Sequence, residues 1–168
     1  TVPNYQSMES VPLATGAAVT GVPLWRGAGA DLVWRLDVDR VADAITSRTR
    51  VVAVNLPNNP TGFVPDRQTW ADLVALCERR GVYLFADEVY REFVYDGSGR
   101  ARSALTLPGM ERHVVVVDSV SKRYSLCGVR VGNIATRNRE ILDAVLRFGQ
   151  ARLCPPTLGQ FACTALTE

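Results

Sequence analysis

Three short groups of residues in this chain have the types and spacing that catalysis needs. Asp118-Ser119-Val120-Ser121-Lys122 joins an amine to two hydroxyls within three residues. Asp87-Glu88-Val89-Tyr90 sets a phenol three residues after a carboxylate. Asn55-Leu56-Pro57-Asn58-Asn59-Pro60-Thr61-Gly62 holds side-chain amides in a stretch that two prolines and a glycine keep rigid and non-helical. Arg130 lies eight residues past Lys122, in Gly128-Val129-Arg130-Val131-Gly132, where the flanking glycines allow close backbone approach.

The amine stands out by count. Of 19 basic residues, Lys122 is the one lysine and the rest are arginine. Genomic bias accounts for arginine over lysine, and composition by itself favours a surface lysine. Arginine stays charged, whereas lysine can lose its proton and attack a carbonyl. Asp87 closes an apolar run, where a carboxylate is costly without a cation or donors. One of the arginines could serve as that cation, which would make Asp87 structural. Tyr90 either reaches the same crevice or packs, and the Asn–Pro loop could be a plain turn. Arg130 with serine hydroxyls suits a phosphate. An amine beside a phosphate subsite suits a phosphorylated aldehyde. Pyridoxal phosphate has this chemistry: its aldehyde needs a lysine and its pyridine nitrogen an acid.

These groups follow three short apolar runs, at Val51–Val54, Val82–Ala86 and Val114–Val117. Each is continuous and rich in β-branched or aromatic residues, which predicts strands covered on both faces of a parallel sheet. Ligands of open α/β sheets bind beyond the carboxyl ends of the strands, so parallel strands would gather all three groups at one edge. Helical spacing appears at Val38, Val41, Ala42 and Ile45 with Asp37 as cap. It recurs at Trp70, Leu73, Val74 and Cys77, with Asp66 as cap and Arg79-Arg80-Gly81 as stop. Leu142, Val145, Leu146 and Gly149, capped near Asn138, predict a third helix, and Leu158–Leu166 a fourth. Residues 9–16 read as a weak helix, 17–24 as a strand and 96–112 as a loop. The sum is one α/β domain, incomplete, since Thr1 opens it without Met or a signal pattern and Glu168 closes it without a helix stop.

Other classes fall away. The 168 residues are 47% hydrophobic and 21% charged, an ordinary globular balance that excludes disorder and collagen-like sequence. No apolar run reaches the roughly 18 residues of a membrane span. A net charge of +2 is no nucleic-acid footprint. The four cysteines lack CxxC spacing and the chain has one histidine, so no zinc site is expected. Cys77 is expected as a buried free thiol, which suits a reducing compartment. No GxxxxGK[ST] occurs, and Leu32 breaks the dinucleotide pattern begun by Gly27-Ala28-Gly29. His113 precedes a strand and reads as a surface or capping residue, without a catalytic triad around it.

At Pro57–Gly62, Asp87–Tyr90 and Ser119-Val120-Ser121-Lys122 with Arg130, the chain closely resembles the class I/II aminotransferases of pyridoxal-phosphate fold type I, the prokaryotic aspartate aminotransferase-like branch in particular. Pro3-Asn4-Tyr5 resembles the segment that lays an aromatic ring on the cofactor. The resemblance covers nearly the whole chain. It implies a three-layer α/β/α fold with a mostly parallel sheet. Residues 1–168 would be the truncated central part of the large, cofactor-binding domain. It further implies that Lys122 forms the Schiff base and shuttles the α-proton. Asp87 would pair with the pyridinium nitrogen. Tyr90 and Asn59 would bind the ring's phenolic oxygen, with Asn59 also near the substrate carboxylate. Ser119 and Arg130, helped by Ser121, would bind the phosphate, and Tyr5 would stack on the ring.

The implied reaction moves an amino group from an amino acid to a 2-oxo acid. It needs a neutral lysine, which nearby positive charge and desolvation would favour. The resemblance also implies a phosphate loop before residue 1, a small domain with the substrate-carboxylate arginine after residue 168, and a cytoplasmic homodimer. The segment alone would then bind pyridoxal phosphate poorly and turn over little. The same cofactor residues serve β-lyases, decarboxylases and synthases, and aminotransferase-like modules also act as non-catalytic sensors. Those alternatives stay open at this level.

Overall fold

The computed structural model describes residues 1–27, 33–97 and 99–167. Residues 28–32, which include most of the broken dinucleotide pattern, lie outside the described residues, as do 98 and 168. The chain runs α1 (Ser7–Ala14), β1 (Trp25–Arg26), β2 (Trp34–Arg35), α2 (Val38–Ala44), β3 (Val51–Asn55), α3 (Arg67–Arg80), β4 (Tyr83–Asp87), β5 (Val114–Ser119), α4 (Val120–Arg123), β6 (Gly132–Ala135), α5 (Arg139–Arg152) and α6 (Thr157–Thr164).

The main sheet has the order β3-β4-β5-β6. The three apolar runs form β3, β4 and β5, and they pair in parallel. β6 closes the far edge antiparallel to β5. The result is a mostly parallel sheet with helices, as expected. Helix α3 joins the first two strands of this unit. Asp66 accepts the Thr69 N–H at 2.7 Å at its start, and Gly81 ends it at φ 62°, a left-handed turn that glycine adopts without steric cost. Its Trp70, Leu73, Val74, Leu76 and Cys77 are buried in one core with Val52, Val54, Leu84, Ala86, Val114 and Val116. Cys77 is a free buried thiol, and burial pushes its pKa up to about 12.

Several expectations need correction. The strands were expected to be covered on both faces. In β4, buried Leu84 and Ala86 alternate with partly exposed Tyr83, Phe85 and Asp87, and Val51 of β3 is exposed. One face is therefore closed more fully than the other. Residues 17–24 form no strand. Pro23 has no N–H to give a ladder, and what remains is a bridge from Val2 to Pro23 flanked by Val2 N–H to the Val22 carbonyl at 2.8 Å. The 128–132 segment was read only for the close backbone approach its glycines allow, and Gly132 begins a strand, β6, opposite Ser119. A Cβ there would stand 2.9 Å from the Asp118 carbonyl oxygen, so the close approach expected of this glycine is real. Gly128 meets nothing comparable. His113 neither caps a helix nor sits fully on the surface: its ring lies 6.0 Å from that of Tyr83, with Nδ1 enclosed.

Helices α2 and α5 start where read. The Asp37 carboxylate accepts from Asp39 and Arg40, and the Asn138 side chain from Glu140 and Ile141. The apolar stripes of α5 and α6 stay open: Leu146, Phe148, Leu158 and Phe161 are exposed. Spacing predicts a helix and an apolar face, but it does not say what covers that face.

Leu73 of α3 lies in the same core as the buried strand residues, with no exposed surface. Leu73→Ala leaves a cavity that close packing cannot fill, and should lower unfolding free energy by about 2–5 kcal/mol in a urea titration.

Candidate active site

Strand register brings the chemistry to one edge. Asn55 pairs with Asp87, and Asp87 with Val117, so the carboxyl ends of β3, β4 and β5 stand side by side. The Glu88 N–H reaches the Val117 carbonyl at 2.9 Å and carries the Asp87–Tyr90 turn over the end of β5. α4 starts directly after β5. These connections place the Lys122 Nζ 5.8 Å from the centroid of the Tyr90 ring. The lone amine and the phenol, 32 residues apart in sequence, therefore meet.

The asparagine loop is set by residues that the sequence reading passed over. Asn55 is buried; its Oδ1 accepts the Asn59 N–H at 2.7 Å, and its amide lies 3.5 Å from the Asp87 carbonyl oxygen. Asn58, also buried, donates to the Asn55 carbonyl at 3.2 Å and the Pro3 carbonyl at 3.1 Å. Its Oδ1 accepts from the Thr61 hydroxyl at 2.7 Å. Asn59 is thus held by its backbone, which leaves its side chain for other work. Three asparagines in a loop with two prolines were the signal available in the sequence. The bond to Pro3 also ties the opening segment to this edge, although the Tyr5 ring is 54% exposed.

On β5, Ser119 caps α4: its Oγ accepts the Ser121 N–H at 2.9 Å, which leaves its own O–H to donate. Val120 N–H meets the Val131 carbonyl at 3.3 Å, so the Arg130 backbone lies beside the start of α4. Arg130 adopts φ 59°, a left-handed conformation uncommon outside glycine, and its Nη1 donates to the Cys127 carbonyl at 2.8 Å. Its guanidinium closes that turn rather than reaching Ser119. Lys122 is exposed. The desolvation expected around its amine is therefore not supplied by the described residues.

Of the acids at this edge, Glu88 is buried and Asp87 is partly buried. One Asp87 oxygen accepts the Val89 N–H at 3.1 Å. Burial raises the Asp87 carboxyl above its ordinary range, and the negative charge of Asp118 adds to this, while the Val89 N–H and the Asn55 amide hold it down. Glu88, which sequence reading left without a role, is 1% exposed. It accepts the Ala104 N–H at 2.8 Å and has Arg91 4.0 Å away. Burial raises its carboxyl as well. A cationic ring nitrogen would supply the counter-charge that Asp87 lacks among the described residues. Amine, phenol, amide, hydroxyls and carboxylate at one edge thus fit a phosphorylated aldehyde with a basic ring.

A raised folded-state pKa means that the folded protein holds the Asp87 proton more tightly than the unfolded chain. That contribution is complete below the ordinary value of 3.8 and is lost as pH rises through the raised value. In the cofactor-free protein, Asp87→Asn should therefore gain stability relative to the parent as pH climbs from the ordinary value toward neutrality. Urea titrations at several pH values measure this; a pH-independent difference would remove Asp87 as the source.

The family model for aminotransferase class I and II matches residues 1–168. The arginine–pyruvate transaminase of Pseudomonas aeruginosa is 35% identical over 98% of this chain and 40% of its own length. Among solved structures, the aromatic aminotransferase of Pyrococcus horikoshii superposes with a TM-score of 0.84 at 28% identity, covering 96% of this chain and 42% of that one. A double mutant of Thermus thermophilus aspartate aminotransferase gives 0.83 at 29% identity, over 96% and 40%. The chain spans about two fifths of the length of these relatives. With its motifs, its sheet and its full-length family match in agreement, the chain belongs to the class I and II aminotransferase family.

Proposed function

We propose that this chain is the central part of the large domain of a pyridoxal-phosphate-dependent aminotransferase, which moves an amino group from an amino acid to a 2-oxo acid. The observation that carries this reading is the lone amine, Lys122 Nζ, standing 5.8 Å from the Tyr90 ring at the edge where Asp87 ends its strand. The phosphate loop and the small domain would lie in the parts of the relatives that the chain does not span. A homodimer in the cytoplasm completes the proposal, and the buried free thiol of Cys77 suits reducing surroundings.

Pyridoxal phosphate supplies, when bound, an aldehyde for amino groups and a ring that takes up an electron pair. In this reading the chain's residues would do part of the rest. Lys122 would hold the aldehyde through Nζ and, once its amine is free, would take up at Nζ the proton that leaves the substrate Cα. Asp87 stays ionised against the ring nitrogen and keeps that nitrogen protonated. Tyr90 and Asn59 hydrogen-bond the ring's phenolic oxygen, and Asn59 also faces the substrate carboxylate. Ser119 and Ser121 donate hydroxyls to the phosphate. Arg130 joins them by leaving the Cys127 carbonyl. Tyr5 covers a ring face.

The full-length protein with pyridoxal phosphate should show the visible absorbance band of a lysine-bound cofactor. Lys122→Ala should lose that band and lower turnover at least about a thousandfold, the scale of a general base and nucleophile together. A panel of amino donors with 2-oxoglutarate should yield glutamate with each 2-oxo acid. A band unaffected by Lys122→Ala overturns the assignment; 2-oxo acid formed without glutamate excludes transamination.

A further inference from the structure

Lys122 rides on α4, which has four residues. A single helical turn fixes several dihedral angles for about one hydrogen bond and does not hold itself. The structure shows what holds it. One oxygen of Asp118 accepts the Ser119 N–H at 2.7 Å, at the entrance to the turn. The other accepts from Arg123 Nη2 at 2.6 Å, at its last residue. One carboxylate thus grips both ends of the turn. Arg123 Nε, enclosed and without a hydrogen bond, faces Glu92 Oε1 at 3.5 Å. Glu92 lies two residues past Tyr90 and also meets Arg91 at 3.8 Å and Arg100 at 3.9 Å. The side chains of Asp118 and Arg123 are 15% and 24% exposed, so this pair is shielded from much of the screening that weakens surface pairs.

We propose that Asp118 and Arg123 are positioning residues for Lys122: together they brace the turn that carries the amine and, through Glu92, tie it to the turn that carries Tyr90. The inference rests on the proposed role of Lys122 as the amine that exchanges with substrate. The brace sets where Nζ stands relative to Tyr90 and Asp87. It also sets Arg123 against Asp118, whose negative charge would otherwise face Asp87 without a cation in contact. Neither residue touches the reacting atoms.

The test uses the full-length holoenzyme, once its visible band has been shown to depend on Lys122. That first step decides the underlying reading by itself. Asp118→Asn, Arg123→Met and the double variant are then compared with Arg139→Gln, which breaks an exposed pair to Asp143 on α5. In the cofactor-free proteins, amide exchange over residues 118–125 should quicken in the brace variants while 67–80 stays as in the parent. In the loaded proteins the band should persist. Single-turnover amino transfer should slow by roughly ten- to a hundredfold, the scale of a misplacement of about 1 Å, with KM within about twofold. The double variant should lose less than the sum of the two single losses, because both break the Asp118–Arg123 contact. Arg123→Lys, which keeps the charge, should recover part of the rate, and Arg139→Gln should match the parent. Parent-like single-turnover rates in Asp118→Asn and Arg123→Met, or fully additive losses, overturn the brace without touching the role of Lys122. If Arg123→Met does not fold, Asp118→Asn and Arg123→Lys decide by the same readouts.

Discussion

Parallel pairing of β3, β4 and β5 is the constraint on which the rest depends. Parallel strands all end at the same edge, so whatever follows each of them is delivered to one line. The register Asn55–Asp87–Val117 makes that line tight. Without it, the asparagine loop, the acid–phenol turn and the lysine turn would be three unrelated loops. The register is in turn held by burial. α3 closes one face of the sheet through Trp70, Leu73 and Val74, and a one-residue slip would turn Leu84 and Ala86 away from them.

The edge so formed is acidic inside and basic at its rim. Asp87, Glu88 and Asp118 gather where three strands end, and burial raises the first two above the ordinary carboxylate range. Arg91 and Arg123 answer Glu88 and Asp118 by ion pairs, whereas among the described residues Asp87 has only amide donors. A partly buried acid with donors but no cation is costly to keep ionised, and it gains from a ligand that brings positive charge. Lys122 and Arg130 are left exposed.

Two asparagines show how a site is built out of sight of its chemistry. Asn55 and Asn58 are buried and spend their hydrogen bonds on the loop itself, on Asn59, Thr61 and Pro3. Buried amides must be satisfied, so each such bond fixes geometry as well as energy. Asn59 draws attention in the sequence because proline follows it. Its neighbours do the holding, and their role needs the fold to be seen.

The sequence by itself determined β3, β4 and β5, and α2, α3 and α5 with their caps, and it singled out candidate residues by side-chain type. Those features are local: apolar period, an Asp or Asn before a helix, a Gly after one, and side-chain type. It also carried the family, because motif order survives in one dimension. Tertiary structure decided the rest. Nothing local marks residues 17–24 as bridging Val2 rather than forming a strand, or Gly132 as pairing with Ser119. The grip of Asp118 on Arg123 and the approach of Lys122 to Tyr90 depend on a turn shape and a strand register. Contacts between distant residues are set by packing, and packing is a property of the folded chain as a whole.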